Sequence, residues 1–346
     1  MANKWFGLLR RAAAFALTAA VLTAPALAAE ITGEVVPVGR AVGIALETQG
    51  ILVVATGEVQ TAEGPVAPAK DAGLRPGDVI TAADGTSVSS WEELSGLLET
   101  SGGEGTTLTV IRSGSEKTVT LAPAVNEQGS FEYGMCLRDG MSGIGTVTFY
   151  DPDSGIFGAL GHPVSDVDTG ATMPLRDGSV ISAVITDVVP GEVGTPGQLV
   201  GSFDPADVIG TLTGNGPCGI FGYLEDRSDA VRDAVPIAGE GDVSTGEATI
   251  LSNISGDTVE EYSAEITRLY SGDEAGGRSM MIRITDPRLL ETTGGIVQGM
   301  SGSPVIQNGM LVGAVTHVLV DDPTRGYCVG IQEMLAEAAP LLLMAA

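Results

Sequence analysis

The chain has 346 residues, of which 49 are glycine and 4% are aromatic, and it carries a formal net charge of -27. That length allows about two domains of ordinary size. The excess of acidic side chains repels phosphate backbones and anionic lipid headgroups, so the composition argues against nucleic acid and membrane surfaces as partners.

The N-terminus has the layout of a secretory signal peptide. Basic residues precede an apolar run from Ala12 to Ala29, in which Ala26-Leu27-Ala28 provides a cleavage site of small residues. We therefore expect residues 1–28 to be a signal peptide and the rest of the chain to be exported across the cytoplasmic membrane. A retained anchor is the alternative, because the apolar run is close to the minimum length of a membrane span.

The three cysteines, Cys136, Cys218 and Cys328, are too widely spaced for a disulfide framework or a zinc site. We interpret them as buried small apolar residues, with one optional disulfide that the sequence does not assign. The chain has two histidines, and no metal-ligand spacing is present. We expect no metal and no other cofactor.

Residues 31–124 form the first predicted domain. In chain order the pattern predicts two apolar strands, a short helix, a strand, a second helix and a hairpin, at 42–46, 51–55, 67–72, 79–83, 91–98 and 106–124. Ser89 or Ser90 is expected to cap the second helix, with Glu92 and Glu93 in its first turn.

The segment "APAKDAGLRPGDVI" (67–80) has the spacing of PDZ domains associated with bacterial proteases, and residues 31–124 resemble such a domain. PDZ domains bind peptides by strand addition at an open sheet edge. By this resemblance Val42, Gly43, Ile44 and Ala45 form the carboxylate-binding loop for a peptide ligand. A packing module without a ligand is the alternative.

Residues 125–346 form the second predicted domain. Short β-branched runs alternate with glycine-rich turns, which indicates an antiparallel barrel or sandwich. The segment 331–346 predicts a helix that is kinked at Pro340 and packs on the barrel. The predicted fold is therefore mainly β, with a small α/β domain of PDZ type followed by an antiparallel β-barrel.

The segment "GMSGSPVIQNGMLVGAVTH" (299–317) resembles the nucleophile segment of chymotrypsin-like serine proteases. Glycines on either side of Ser301 expose its hydroxyl and let the N–H groups of Gly299 and Ser301 converge as an oxyanion hole. A glycine-rich turn between two strands is the alternative for the glycines alone.

A serine nucleophile needs a general base, and the chain offers His162 and His317. His162 stands at a predicted strand end between Gly161 and Pro163, where it can project into a cleft. A solvent-exposed turn histidine is the alternative. His317 lies on the strand after the serine loop and is interpreted either as a substrate contact or as a core histidine.

A carboxylate that orients the histidine completes such a site. Asp166 and Asp168 follow His162 closely and are interpreted as turn caps. Asp286 ends a predicted strand shortly before Ser301. It can orient the histidine or line the specificity pocket.

The PDZ-like region together with "GALGHPVSDVDTG" (158–170) and "ITDPRLLETTGGIVQGMSGSPVIQNGMLVGAVTHVLVDDPTRGY" (284–327) resembles the sporulation stage IV B peptidases, SpoIVB, of endospore-forming bacteria. The resemblance covers nearly all of the chain after the signal. It implies that His162, Asp286 and Ser301 are the catalytic residues, in a chymotrypsin-like domain.

The resemblance also implies a biological role. A peptidase of this family is expected to act in the space around the forespore, to cut a membrane-bound regulatory protein and so to permit intramembrane maturation of a late sigma factor. It is expected to process its own N-terminal region, with the PDZ domain controlling self-cleavage and target delivery. An inactive PDZ-barrel binding protein and a general extracellular protease are the alternatives.

Overall fold

The structure, a computed structural model, describes residues 31, 33–225, 232–239, 241–270 and 278–345, and the predicted signal segment 1–28 lies outside them. The predicted fold class is confirmed, because the described chain is mainly β. Its strands are β1 (Glu34–Pro37), β2 (Ala41–Thr56), β3 (Val59–Thr61), β4 (Gly64–Val66), β5 (Val79–Ala83), β6 (Thr86–Ser87), β7 (Thr106–Arg112), β8 (Ser115–Leu121), β9 (Ala124–Val125), β10 (Phe131–Glu132), β11 (Met135–Tyr150), β12 (Ile156–Ala159), β13 (Leu175–Val189), β14 (Gln198–Gly216), β15 (Gly219–Leu224), β16 (Val235–Pro236), β17 (Gly246–Ser255), β18 (Thr258–Leu269), β19 (Met280–Ile284), β20 (Pro304–Gln307), β21 (Met310–Leu319) and β22 (Asp322–Gly330). Its helices are α1 (Pro68–Asp71), α2 (Trp91–Thr100), α3 (Pro287–Thr293) and α4 (Ile331–Ala345).

Six antiparallel strands close the first barrel. Strand β2 pairs with β11, and the pairing continues through β12, β15, β14 and β13 back to β2. Side chains alternate between the two faces of each strand, so one apolar set, including Val42, Ile44 and Val180, is buried in a common core. His162 follows the short strand β12 of this barrel.

The second barrel is closed by β17, β18, β19, β22, β21 and β20. Its core contains the fully buried β-branched residues Ile250, Ile266, Ile282, Val305 and Val315. Each such side chain contributes roughly 1.5–3 kcal/mol on burial, which makes the barrel wall a rigid support for the loop before β20.

The PDZ unit lies in the chain between β2 and β11, so it is inserted into the first barrel. The second half of β2 pairs through Ile51 and Leu52 with β5, and the sheet continues through β7 to β8. Helix α2 begins as predicted: Ser90 accepts from the N–H of Glu93, and the Glu93 side chain accepts from the N–H of Ser90 in return. The sequence predicted one domain at 31–124 and a second at 125–346. In the structure the first half of β2 belongs to the barrel, so this part of the predicted first domain is not part of the PDZ unit.

The predicted carboxylate-binding loop at Val42, Gly43, Ile44 and Ala45 is corrected by the structure. This segment pairs with β11 on one edge and with β13 on the other. Both edges are therefore occupied, and a peptide cannot add a strand there. Its alternation of apolar residues suits a barrel strand as well as a PDZ strand, and the sequence pattern does not distinguish them.

Helix α4 packs across both barrels, with Met334 and Ala338 fully buried in one cluster with Ile156 of β12 and with Ala314 and Val329 of the second barrel. Pro340, at which the sequence predicted a kink, lies inside this helix. Within the part of the chain that the structure describes, no helix combines the length and the apolar character that crossing a membrane requires.

Candidate active site

The His162 loop joins β12 to β13 of the first barrel and contacts the second barrel on the way. It leaves β12 through Leu160 and Gly161, both with positive φ, and the turn brings Gly161 against β21. A Cβ atom on Gly161 would lie 2.8 Å from the Thr316 side chain and 2.9 Å from that of Val329. Glycine is therefore required for this close approach.

The Ser301 loop is held against the first barrel at Gly302. This glycine has φ +97°, and a Cβ on it would lie 1.9 Å from the carbonyl oxygen of Thr146 and 2.6 Å from the N of Leu160. The loop thus lies directly on the residues that lead to His162. The two predicted catalytic loops come together because the two barrels pack at this point.

The Ser301 hydroxyl is partly exposed, and it donates a hydrogen bond to the carbonyl oxygen of Thr316 at 2.7 Å. Thr316 is the strand neighbour of His317 and contacts the His162 loop at Gly161. In this conformation the hydroxyl proton is directed to a backbone carbonyl, so the side chain must rotate before a histidine can accept that proton.

The predicted oxyanion donors have free N–H groups. Neither Gly299 nor Ser301 donates its backbone N–H to a protein acceptor within the described ranges. The N–H groups of the neighbouring Met300, Gly302 and Ser303 all donate to backbone carbonyls. Gly299 has φ +96°, a conformation that few other residues tolerate. The loop therefore leaves two donors available for an external oxygen.

The ring of His162 is half-buried, and its Nδ1 lies 2.9 Å from the carbonyl oxygen of Pro163. A carbonyl can only accept, so the neutral ring carries its proton on Nδ1 and has the lone pair on Nε2. Burial lowers the pKa of His162, and the hydrogen bond to Pro163 opposes that shift. The neutral ring that a general base requires is thereby favoured.

His317 is exposed on β21 and packs against His162, with ring centroids 4.9 Å apart. Partial desolvation and then the neighbouring His162 lower the pKa of His317. Of the two interpretations of His317, the exposed position agrees with a substrate contact and disagrees with a core histidine.

Asp286 is placed as an anchor of α3. One of its oxygens accepts from the backbone N–H of Arg288 at 2.9 Å, and the other accepts from the N–H of Ser263 at 3.2 Å. The Arg288 guanidinium also donates to both oxygens. That interaction, ahead of the others, lowers the pKa of Asp286 to about 2.

The structure therefore does not bring Asp286 onto the predicted general base. Among the described residues, no hydrogen bond joins Asp286 and His162. The carboxylate is used instead by Arg288 and the first turn of α3. The predicted orienting role of Asp286 stays a prediction without a contact in this conformation.

Two buried threonines of β11 hold the Ser301 loop, and the sequence pattern gave no indication of them. The Thr146 hydroxyl donates to the carbonyl of Gly299 at 2.7 Å, and the Thr148 hydroxyl donates to that of Gly302 at 2.7 Å. The N–H of Thr146 donates to the carbonyl of Ser301 at 3.0 Å. Their alternation with apolar residues in the buried last part of β11 is the one signal that marks them.

A nucleophile loop on one barrel and a histidine loop on the other define a double-barrel serine peptidase that carries an inserted PDZ unit. The family model described as SpoIVB peptidase S55 matches residues 129–335, and a PDZ domain model matches residues 61–112. The chain belongs to the SpoIVB peptidase S55 family, and it is a serine peptidase.

The chain is also similar to other proteins over shorter or more divergent stretches. NMA0084 of Neisseria meningitidis serogroup A, which is named as a zinc metalloprotease, is 39% identical over 85 residues, 24% of this chain and 19% of that protein. The chain thus spans a small part of that relative. The active form of the Rv3671c protease from M. tuberculosis has a TM-score of 0.31 and 19% identity, covering 57% of this chain and 74% of that one. Its inactive form has a TM-score of 0.32 and 17% identity, covering 57% and 84%.

Proposed function

We propose that this peptidase uses Ser301 as nucleophile, His162 as general base and the N–H groups of Gly299 and Ser301 as oxyanion donors. The observation that supports it best is the meeting of the two loops around Thr316. Its carbonyl accepts the Ser301 hydroxyl, and its side chain packs against Gly161, the residue before His162.

Catalysis begins when the Ser301 side chain rotates from the Thr316 carbonyl towards Nε2 of His162. As Oγ attacks the scissile carbonyl carbon, Nε2 takes the hydroxyl proton. The substrate oxygen becomes an oxyanion that the two free N–H groups of the loop stabilise. The C–N bond then breaks, and His162 gives its proton to the leaving amine.

The second half of the reaction releases the enzyme from its acyl ester. A water molecule attacks the ester carbon and transfers a proton to Nε2 of His162. When the new intermediate collapses, Oγ of Ser301 leaves and recovers that proton. The products are a free carboxylate on one fragment and a free amine on the other.

The carbonyl of Pro163 takes the place that a carboxylate usually has beside Nδ1 of His162. It holds the ring in the required tautomer but adds no negative charge to stabilise the imidazolium. A peptidase built in this way is slower than one with a full triad. Low intrinsic activity suits an enzyme that cuts a few regulatory targets.

The cellular role that we infer follows from the family and from the predicted export. The enzyme cleaves a membrane-associated regulator in the space around the forespore during sporulation, and this cleavage permits intramembrane processing of a late sigma factor. It also processes its own N-terminal region. The PDZ unit supplies peptide binding beside a peptidase whose substrate is a polypeptide.

N-terminal sequencing of the exported wild type and of Ser301→Ala tests self-processing. We expect shortening beyond Ala28 in the wild type alone. Identical N-termini in the two proteins would count against self-cleavage. Digestion of unstructured casein, followed by mass spectrometry, tests selectivity: a few slow cuts are expected, and rapid cleavage at many sites would favour a general extracellular protease.

A further inference from the structure

We propose that β11 couples peptide binding at the PDZ unit to both catalytic loops, with Arg138 as the positioning residue for the His162 loop. This inference rests on the proposed roles of His162 and Ser301. It assigns the peptide-binding edge to the start of β11 rather than to the segment predicted from the sequence.

The start of β11 borders a groove beside helix α2. The groove has a volume of about 330 Å³ and is lined by Ile51, Trp91, Met135, Cys136, Leu137 and Asp139. One edge of this part of β11 pairs with β2, and in the described ranges no strand pairs with its other edge. An unpaired strand edge beside an apolar wall suits an extended peptide with apolar side chains, which adds as a further strand.

Arg138, which lies between the groove residues Leu137 and Asp139, contacts the histidine loop. Arg138 forms an ion pair with Asp166, which is buried, and a second with Asp168, whose Oδ2 lies 3.0 Å from the guanidinium. Asp166 also accepts from the N–H and the hydroxyl of Thr169 at 2.8 Å each, which closes the turn after His162. A displacement of Arg138 is thus passed to the loop that carries the general base.

The same strand continues into the first barrel and reaches the serine loop. Thr146 and Thr148, eight and ten positions along β11 from Arg138 by residue number, donate to the carbonyls of Gly299 and Gly302. Both threonines are fully buried. One strand therefore carries the groove edge, the ion pairs to the histidine loop and the hydrogen bonds to the nucleophile loop.

An irregularity in β11 separates these parts. Its pairing with β2 shifts register between Cys136 and Leu137, at the groove edge, and again between Arg138 and Gly140. A bulge changes the local twist of a strand without breaking the ladder on either side. A peptide that binds at Met135–Leu137 can therefore alter the twist at the bulge, and Arg138 stands where that change meets the histidine loop.

Cys136 was expected to be buried, but it is an exposed thiol in the groove, and it therefore provides a direct test. Cys218 is half-buried, and burial raises its pKa to about 11. Cys328 is fully buried, and burial raises the pKa of that thiol also. A bulky maleimide therefore attaches to Cys136 selectively and occupies the groove. The measured quantity is the rate at which a fluorophosphonate probe labels Ser301, before and after capping.

We expect capping to change the labelling rate of the wild type by about fivefold or more. In Arg138→Met the uncapped rate should fall and the response to capping should disappear. Cys136→Ser is the matched control and should not respond to the maleimide. Asp168→Asn changes an exposed position and keeps the ion pair of Arg138 with the buried Asp166. It should show a reduced response to capping. The test therefore does not depend on the stability of Arg138→Met.

The possible results separate the two proposals. A wild type that is labelled equally fast with and without the cap would overturn the coupling while leaving the role of Ser301 in place. A full response in Arg138→Met and in Asp168→Asn would overturn the assignment of Arg138. Labelling no faster than in Ser301→Ala would remove the proposed nucleophile, and the coupling with it.

Discussion

The imidazole rings of His162 and His317 face each other across the two barrels, with centroids 4.9 Å apart and planes inclined by 43°. Burial lowers the pKa of His162, and desolvation together with the charge of His162 lowers that of His317. Like charges at this separation repel, so the pair resists taking up two protons.

The lowered pKa of His162 predicts the pH dependence of activity. The general base must be neutral, so kcat/KM should hold to below the ordinary histidine pKa of about 6.5 before it falls. The free energy of unfolding should change in the same direction. Because the pKa of His162 is lower in the folded state, its contribution to stability is present above the ordinary histidine pKa and is lost as the pH falls through the folded-state pKa. The pH dependence of kcat/KM is measured with a fluorogenic peptide, and that of the free energy of unfolding is measured by urea unfolding at the same pH values. An acid limb above pH 6.5 would contradict the prediction.

His317→Phe is the control for this profile. It keeps an aromatic ring against His162 and removes the second titrating group. We expect the acid limb to stay below about pH 6.5, because burial is the main cause of the shift at His162. KM should rise if the exposed ring contacts substrate, as its place on β21 suggests.

Gly302→Ala should slow labelling of the nucleophile by about 100-fold. The new Cβ would meet the Thr146 carbonyl at 1.9 Å, so the loop must move, and a shift of about 1 Å costs on the order of 100-fold in rate. Gly309→Ala is the matched control, because Gly309 has φ +76° and nothing within 4 Å of a built Cβ. It should lose about 1–2 kcal/mol of stability and keep its labelling rate. Equal losses of labelling in the two variants would contradict a specific role for Gly302.

The candidate nucleophile loop could be proposed from the sequence because its requirements are local. Glycines around Ser301 need no partner to be recognised, and the helix cap at Ser90 follows from a four-residue pattern. The peptide-binding edge was misplaced because β2 is a single strand of 16 residues that serves two units. The alternation of residues in Val42–Ala45 does not indicate whether this segment pairs within the barrel or within the PDZ unit.

The role of Asp286 was hard to predict for a different reason. Its place near the end of a strand suits a catalytic carboxylate and a helix cap equally, and the choice depends on Arg288 two residues later. Arg138 and Asp166 lie far apart from each other in the sequence, so only the folded chain reveals their contact.

Thr146→Val tests whether the hydroxyl of this buried threonine positions the oxyanion loop. The change keeps the shape of the side chain and leaves the Gly299 carbonyl without its donor, which costs about 1–3 kcal/mol. We expect kcat to fall while KM changes little, because the free N–H of Gly299 acts mainly on the oxyanion. Steady-state kinetics of Thr146→Ser, which retains a hydroxyl, should show most of the activity. If both variants lose only stability, Thr146 has a purely structural role.

Asp286→Asn distinguishes the anchor from an orienting carboxylate. Asparagine still caps a helix but loses the charge that faces Arg288, so stability should fall by roughly 1 kcal/mol at neutral pH. The wild-type pKa of about 2 is depressed, so this difference should be present above about pH 4 and vanish as pH falls towards 2. Urea unfolding measures it, with the exposed Glu291→Gln on the same helix as control. An orienting role would instead lower kcat by about 10,000-fold. The contacts of Asp286 predict a much smaller loss of kcat. The acid limb of the pH–activity profile, which His162 sets, should stay where it is.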